Sequence, residues 1–358
     1  MRPNIKKDFC VPNYYKKGQH NINIELYLRN MIFTECSTPS DAVIALIQHT
    51  ILGSNGARYK HLKVIEQLQK LDHPLYFSLI KGSKCLGNIT LCKRPEAFYL
   101  RYFAFDVAYR ASRFKSISSK PKSSTLRKEI SLFFDSKLNE FKRPIYAYIE
   151  PENTRSMNMA MQFGFNPVSQ IQMHHFSRLT PISTVQFCWI SNEEAYEYVR
   201  NTYGKYTYYF EHLNSGKFAG WRVKGNLVFI ARFHQGCWEI QSLKGSLGKF
   251  LTKIIPWIPL INKIINPKKH SFIAFDSLVV INKSVHKKEL NYFFSAALAA
   301  FEVKHMMHWS DPNDPNQSNL QEIKWGLLHR FLGKGFVNLM VKGEIQPGPY
   351  YVDAMDML

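Results

Sequence analysis

Hydrophobic and polar positions along the chain predict alternating helices and strands, starting near residue 40. Ser40 and Asp41 precede the apolar run AVIALIQHTIL, which is typical of a helix with a serine cap. A second helix is predicted over about 57–71, where leucine and isoleucine recur at helical spacing. The segments 74–91 and 97–109 are rich in β-branched and aromatic residues, and they predict a hairpin followed by a long strand.

The pattern then continues through two helices and two strands. Residues 124–141 carry a single apolar stripe and predict an amphipathic helix. The run IYAYIE at 145–150 predicts a short strand, and a helix is expected from Asn153 to Gly164. A last strand is expected near 168–177.

The second half repeats this order of elements. It predicts, in sequence, a hairpin with strands at 219–232 and 236–243, a strand at 271–281, helices at 286–301 and 317–333 around a short strand at 305–310, and a final strand after Gly335-Phe336. A repeat of this size indicates two domains rather than a solenoid unit. We expect a flexible basic arm over 1–20 and two domains of one architecture over 21–182 and 183–358.

Composition narrows the class of protein. The chain has 358 residues, of which 45% are hydrophobic and 14% aromatic, so it can bury two cores. The formal net charge of +20 favours an anionic partner such as RNA, a membrane face or a phosphate-rich ligand. Six scattered cysteines without a CxxC pair, and no apolar signal-peptide core, lead us to expect a cytoplasmic protein without a transmembrane segment.

The stretch ENTRSMNMAMQFGF (152–165) carries the most specific pattern. It resembles the final acyl-CoA-binding helix of the GNAT N-acetyltransferase superfamily, with Asn153, Ser156, Gly164 and Phe165 at the family's spacing. The resemblance implies two tandem α/β domains, each a mixed, mostly antiparallel sheet flanked by helices. It also implies acyl transfer, with acetyl-CoA as the expected co-substrate, to an amine acceptor by direct attack. The preceding strand would part from its neighbour to admit the pantetheine arm.

The resemblance also implies a pyrophosphate loop before the helix at 124–141. The family's glycine positions hold Ser123 and Thr125 here, and Lys120 holds its basic position. Such a loop binds phosphate through backbone N–H groups at a helix N-terminus, but serine and threonine lack the backbone freedom of glycine. A basic loop without a ligand is the alternative. The cofactor-binding candidates are Lys120, Lys122, Ser123, Ser124, Thr125, Arg127, Asn153 and Ser156.

The family's usual catalytic tyrosine position holds Ala160 here. Tyr146 or Tyr148 on the short strand, or water, would then give a proton to the leaving thiolate, and Tyr148 is our candidate. Asp106 and Glu150 are the candidate bases for the amine, because a carboxylate among aromatic residues suits that role. Each of the two carboxylates has a purely structural alternative. In each close pair of histidines, His174–His175 and His305–His308, the two residues lie on opposite faces of a predicted strand. No metal site is therefore expected.

Two other interpretations of function remain open. A Fem-type aminoacyl transferase, which doubles this fold and uses aminoacyl-tRNA, fits the basic charge; a non-catalytic binding protein fits the missing glycines and Ala160. The apolar, lysine-bearing segment 248–272 suits either an anionic membrane surface or a buried insert. The buried insert is favoured, since globular proteins commonly bury such runs.

Overall fold

The computed structural model describes residues 33–53, 57–81, 84–106, 125–211, 215–243, 248–282, 288–315, 317–320 and 323–358. Its thirteen strands join in one mixed, mostly antiparallel sheet. The strands are β1 (Thr34–Cys36), β2 (Arg58–His61), β3 (Pro74–Lys81), β4 (Lys84–Lys93), β5 (Phe98–Phe105), β6 (Ile145–Ile149), β7 (Asn166–Ser177), β8 (Phe187–Trp189), β9 (Lys217–Val223), β10 (Asn226–Ser242), β11 (His270–Val280), β12 (His305–Ser310) and β13 (Gly335–Lys342).

Helices connect these strands and cover the sheet. They are α1 (Asp41–Gln48), α2 (Val64–Gln69), α3 (Thr125–Phe141), α4 (Thr154–Gln162), α5 (Asn192–Tyr203), α6 (Gly248–Ile254), α7 (Pro259–Asn262), α8 (Lys288–Ala300), α9 (Gln317–Leu320), α10 (Leu327–Leu332) and α11 (Ala354–Met357). A 3-10 turn, Ile255–Trp257, separates α6 from α7. None of the helices in the described ranges is long and apolar enough to cross a membrane.

The order of strands reflects the repeat expected from the sequence. Along the sheet it is β1-β3-β4-β5-β6-β13-β7-β12-β11-β10-β9-β8, with β2 paired to β10. In each half an antiparallel pair leads to a strand that runs parallel to the next one, β5 to β6 and β11 to β12. The last strand of each half is exchanged, because β13 pairs with β6 while β7 pairs with β12. The two halves of the sequence therefore share one continuous sheet.

Strand alternation divides the first half into two cores. Adjacent residues on a strand point to opposite faces, and Tyr76 and Phe77 on β3 are each 1% exposed in different clusters. Tyr76 packs with Val43 of α1, whereas Phe77 belongs to the cluster with Phe134 of α3. Burial on both faces explains why these strands are almost continuously apolar.

Three predicted elements differ from the structure. The helix predicted over 57–71 is wrong at its start, because Arg58–His61 pairs with β10 as a strand. The predicted hairpin in the second half turns earlier, at Lys224-Gly225, and β10 continues unbroken beyond it. The helix predicted over 317–333 is interrupted, because the Trp325 carbonyl accepts a hydrogen bond from the Ser177 backbone N–H at the end of β7. The first and third departures come from long-range contacts that local periodicity does not report, whereas the hairpin turn is set locally by Lys224 and Gly225.

A buried ion network holds the segment 350–358 against the second half of the sheet. Arg232 Nε lies 2.9 Å from Asp276 and Arg232 Nη2 lies 2.7 Å from Asp353, all three side chains being about 1% exposed. His234, Asp276 and Asp353 also lie close enough together to suggest a metal site. The Arg232 guanidinium pairs with both carboxylates there, so we assign the cluster a structural role.

Candidate active site

The first half of the sheet opens between β5 and β6. These parallel strands pair only at Phe98↔Ile145 and Tyr99↔Tyr146, although both continue further. A cavity of about 260 Å³ lies beyond the last pair. Its lining includes residues 100–103 of β5, residues 147–149 of β6 and Glu150, which follows β6. The cavity therefore lies where the β-ladder ends, because no strand of the described ranges fills the space between the two backbones.

Helix α4 forms one wall of this cavity. Its N-cap, Asn153, accepts a hydrogen bond from the Ser156 backbone N–H at 3.1 Å, so the cap leaves the Ser156 hydroxyl available. At the other end Gly164 adopts φ +82°, and Phe165 is 2% exposed. The Phe165 N–H donates to the Ala160 carbonyl at 3.0 Å, which closes the helix. The predicted cap and Gly-Phe ending are thus confirmed.

Both polar and apolar side chains line the cavity. Tyr148, Glu150, Asn153 and Ser156 supply oxygen and nitrogen atoms to its wall. Phenylalanine and methionine side chains make up much of the rest, namely Phe103, Phe134, Met159, Phe163 and Phe165. A site of this kind suits a ligand with a reactive polar group and an apolar portion.

Several buried polar atoms around the cavity have no hydrogen-bond partner among the described residues. Tyr148 Oη is buried and makes no hydrogen bond within the described ranges. Burial, followed by the charge of Asp356, raises the pKa of Tyr148 well above its ordinary value, so the phenol stays protonated. Arg101 Nη1 donates to the Asp356 carbonyl oxygen at 2.7 Å, but its Nε and Nη2 have no acceptor among those same residues. Buried donors without acceptors indicate a place for a ligand.

His61 on β2 adds a neutral imidazole to the lining of the cavity. Burial first, and then the charge of Arg101, lowers the pKa of His61 to about 3. The ring is therefore uncharged at neutral pH, and it does not compete with Arg101 for an anionic group.

Comparison with known proteins gives a fold and no sequence family. No protein-family model and no curated protein sequence matches the chain. N-myristoyltransferase from Saccharomyces cerevisiae with bound myristoyl-CoA aligns at a TM-score of 0.53 and 10% identity, over 92% of this chain and 88% of that one. Another structure of the yeast enzyme, with bound myristoyl-CoA and inhibitors, aligns at 0.50 and 11% identity, over 89% and 84%. The chain has the GNAT fold.

A GCN5-related N-acetyltransferase from Sphaerobacter thermophilus also aligns, with a TM-score of 0.44 and 13% identity, over 80% of this chain and 86% of that one.

Of the site residues expected from the sequence, Tyr148, Glu150, Asn153 and Ser156 all line the cavity. Asp106 does not; it follows β5 and lies 2.9 Å from Lys84 Nζ in an ion pair.

The expected phosphate loop is only partly described. Thr125 is the first residue of α3, and Arg127 is exposed in its first turn. Lys120, Lys122, Ser123 and Ser124 lie outside the described residues. Their role in phosphate binding therefore stays a prediction.

The segment 350–358 also contributes to the site, which the sequence pattern did not predict. Every residue in it is buried, and Asp356, Met357 and Leu358 line the cavity. Arg94 Nη2 lies 2.5 Å from Asp356 Oδ1, and Tyr146 Oη donates to Asp356 Oδ2 at 2.9 Å. The run YYVDAMDML mixes acidic and apolar residues, which is the one signal that could have suggested burial with ionic partners.

Proposed function

We propose that this protein is an acyl-CoA-dependent N-acyltransferase. The observation that carries the proposal is the cavity where the β5–β6 ladder ends beside the capped helix α4. In the GNAT pattern that the sequence resembles, this opening admits the pantetheine arm and the thioester. Exposed backbone groups on diverging strands are suited to hydrogen-bond the amide groups of such an arm.

The residues around the opening suit aminolysis of a thioester. The amine nitrogen attacks the thioester carbonyl carbon, the C–S bond breaks, and the amine proton passes to the Glu150 carboxylate. Because burial raises the pKa of Tyr148, its phenol is a poor source of a proton but a lasting hydrogen-bond donor. We assign Tyr148 the role of stabilising the negative charge that develops on oxygen or sulfur. Asp106 is the weaker candidate base because it does not line the cavity, whereas Glu150 does.

The apolar part of the cavity favours an acyl group longer than acetyl. Phe134, Phe163 and Phe165 are buried aromatic residues that border it. The yeast enzyme that shares the fold holds myristoyl-CoA. Each buried methylene contributes about 0.8 kcal/mol, or about fourfold in affinity. Acetyl-CoA, expected from the resemblance, would then be the weakest ligand in a series of increasing chain length.

Calorimetric titration with acyl-CoAs from acetyl to myristoyl tests the proposal. We expect binding that tightens with chain length and that is lost in Ser156→Trp, which fills the cavity without removing the backbone cap. Asn158→Trp is the matched control, because Asn158 is exposed on the same helix and does not border the cavity. If the folded protein binds no acyl-CoA, the proposal fails and a non-catalytic role becomes the better account.

The catalytic step is tested separately, by measuring the release of free CoA. With an amine acceptor present, Glu150→Gln should retain acyl-CoA affinity while release of free CoA slows by about 10²-fold or more. Glu152→Gln, at a neighbouring carboxylate outside the cavity lining, should leave both quantities unchanged. Equal turnover in the two variants would remove Glu150 from the mechanism.

A further inference from the structure

The connection between β10 and β11 carries a surface that the active site does not use. It comprises α6, the Ile255–Trp257 turn and α7. Three isoleucines fasten it to the protein: Ile255, Ile264 and Ile265 are at most 6% exposed. Ile264 and Ile265 share a core cluster with Leu328 of α10. The expectation of a buried insert is therefore correct for this inner side only.

The outer side of the same connection is apolar and exposed. Trp257 is 84% exposed, Phe250 58%, Leu260 57% and Ile258 36%. We call these four residues the connection surface. Single exposed apolar side chains are common on proteins, but four large ones exposed within one short segment are typical of an interaction site. The expectation of burial is wrong here, because the two prolines break the segment into short turns that cannot bury all their apolar residues.

Positive charge surrounds the connection surface. Among the described residues of the connection, five lysines are exposed, namely Lys249, Lys253, Lys263, Lys268 and Lys269. The sequence from 243 to 270 contains no aspartate or glutamate. Lysines next to an anionic bilayer each contribute about 1 kcal/mol to binding. The local charge is thus complementary to an anionic surface and unsuited to a basic one.

Exposed aromatic residues next to lysines indicate which kind of partner the connection surface binds. Tryptophan and phenylalanine beside lysine are typical of segments that lie in the headgroup region of a membrane, with the aromatic rings in the acyl boundary and the ammonium groups among phosphates. We propose that the connection surface docks on an anionic lipid bilayer, with Trp257, Phe250 and Leu260 inserted and the five lysines on the headgroups. This proposal does not depend on the acyltransferase function, because none of these residues lines the cavity.

Vesicle binding by the full chain tests the proposal. Co-sedimentation should be strong with phosphatidylcholine–phosphatidylserine vesicles, weak with phosphatidylcholine alone, and weaker at high salt. The double variant Lys249→Glu and Lys253→Glu should bind these vesicles at least about 30-fold less tightly, because two lysines are lost. Lys93→Glu with Lys205→Glu is the charge-matched control at exposed sites elsewhere, and it should lose far less.

The apolar contribution is tested separately. Trp257→Ser with Leu260→Ser should abolish insertion, seen as loss of the vesicle-induced blue shift in tryptophan fluorescence. Val185→Ser, at a residue 95% exposed elsewhere, should bind as the parent does. If the parent binds no anionic vesicles, or the connection variants bind as well as their controls, the proposal is overturned. A soluble protein that binds this surface while vesicles do not would overturn it equally.

Discussion

Tyr146 and Tyr148 lie two positions apart on one strand, yet the structure gives them different roles. Their shared face follows from strand alternation, and this part was readable from IYAYIE. Tyr146 Oη donates to Asp356, whereas Tyr148 Oη has no acceptor within the described part of the chain. The difference depends on the segment 350–358, far away in sequence. Local pattern therefore predicted the candidates, and a distant contact distinguishes them.

The two tyrosines should respond oppositely to removal of the hydroxyl. Tyr148→Phe should leave the free energy of unfolding nearly unchanged and slow acyl transfer by about 10²-fold, the usual effect of losing one donor to developing charge. Tyr146→Phe should cost about 1.5–3 kcal/mol of stability, because it removes a hydrogen bond to a carboxylate. Urea unfolding and CoA release measure the two effects. Full turnover by Tyr148→Phe would contradict its assignment.

At the scale of elements, the sequence predicted best where local chemistry determines the backbone. Helix α4 was predicted from its asparagine cap and Gly-Phe ending, and α1 from Ser40, which accepts a hydrogen bond from the Val43 N–H at 3.4 Å. Strand β2 could not be predicted, because Arg58–His61 gains its hydrogen bonds from β10, far along the chain. The wall that β2 adds to the cavity was missed for the same reason.

The ending of α4 provides a test at this scale. Gly164→Ala should destabilise the protein by about 1–2 kcal/mol from the left-handed backbone. A further cost is expected because the added Cβ would lie 2.8 Å from Lys342 Nζ, which is held by Asp135 and the Phe163 carbonyl. Gly225→Ala is the control, since its φ is +84° and no atom lies within 4 Å of the added Cβ. Equal unfolding free energies in the two variants would exclude a role for Lys342.

At the scale of the whole molecule, the described strands of the two halves form one sheet, and the halves exchange their last strands. The sequence predicted the repeat, because the order of elements and the Gly-Phe pairs recur. It did not predict the exchange of β7 and β13, since either strand could complete its own half by pattern alone. The exchange joins the halves through backbone hydrogen bonds. The domain boundary expected between residues 182 and 183 stays a prediction. In the sheet, β7 and β13 each pair with strands of the other half.

Buried histidines on this sheet should make the protein sensitive to acid. Burial lowers the pKa to about 3 in His61, His174 and His175, to about 4 in His270 and His308, and further below the ordinary value in His305. The unfolded state, with an ordinary pKa near 6.5, binds more protons. Stability is therefore full above that value and falls as the pH drops below it, by about 1.4 kcal/mol per pH unit for each histidine.

Urea midpoints measured at descending pH should decline steeply from about pH 6.5. His174→Phe should make that decline shallower, because neither nitrogen of His174 has a partner in the described ranges and phenylalanine cannot titrate. A midpoint that stays constant down to about pH 5 would mean that these rings are not held neutral in the folded protein.

The most direct test of the central claim is a crystal structure with a hydrolysis-resistant thioether analogue of an acyl-CoA. The account predicts the sulfur in the opening between residues 100–103 of β5 and residues 147–149 of β6, with the acyl chain towards Phe134 and Phe165. It also predicts that the Ser156→Trp protein, crystallised in the same way, holds no analogue. An analogue bound elsewhere on the folded protein, with this opening empty, would contradict the account.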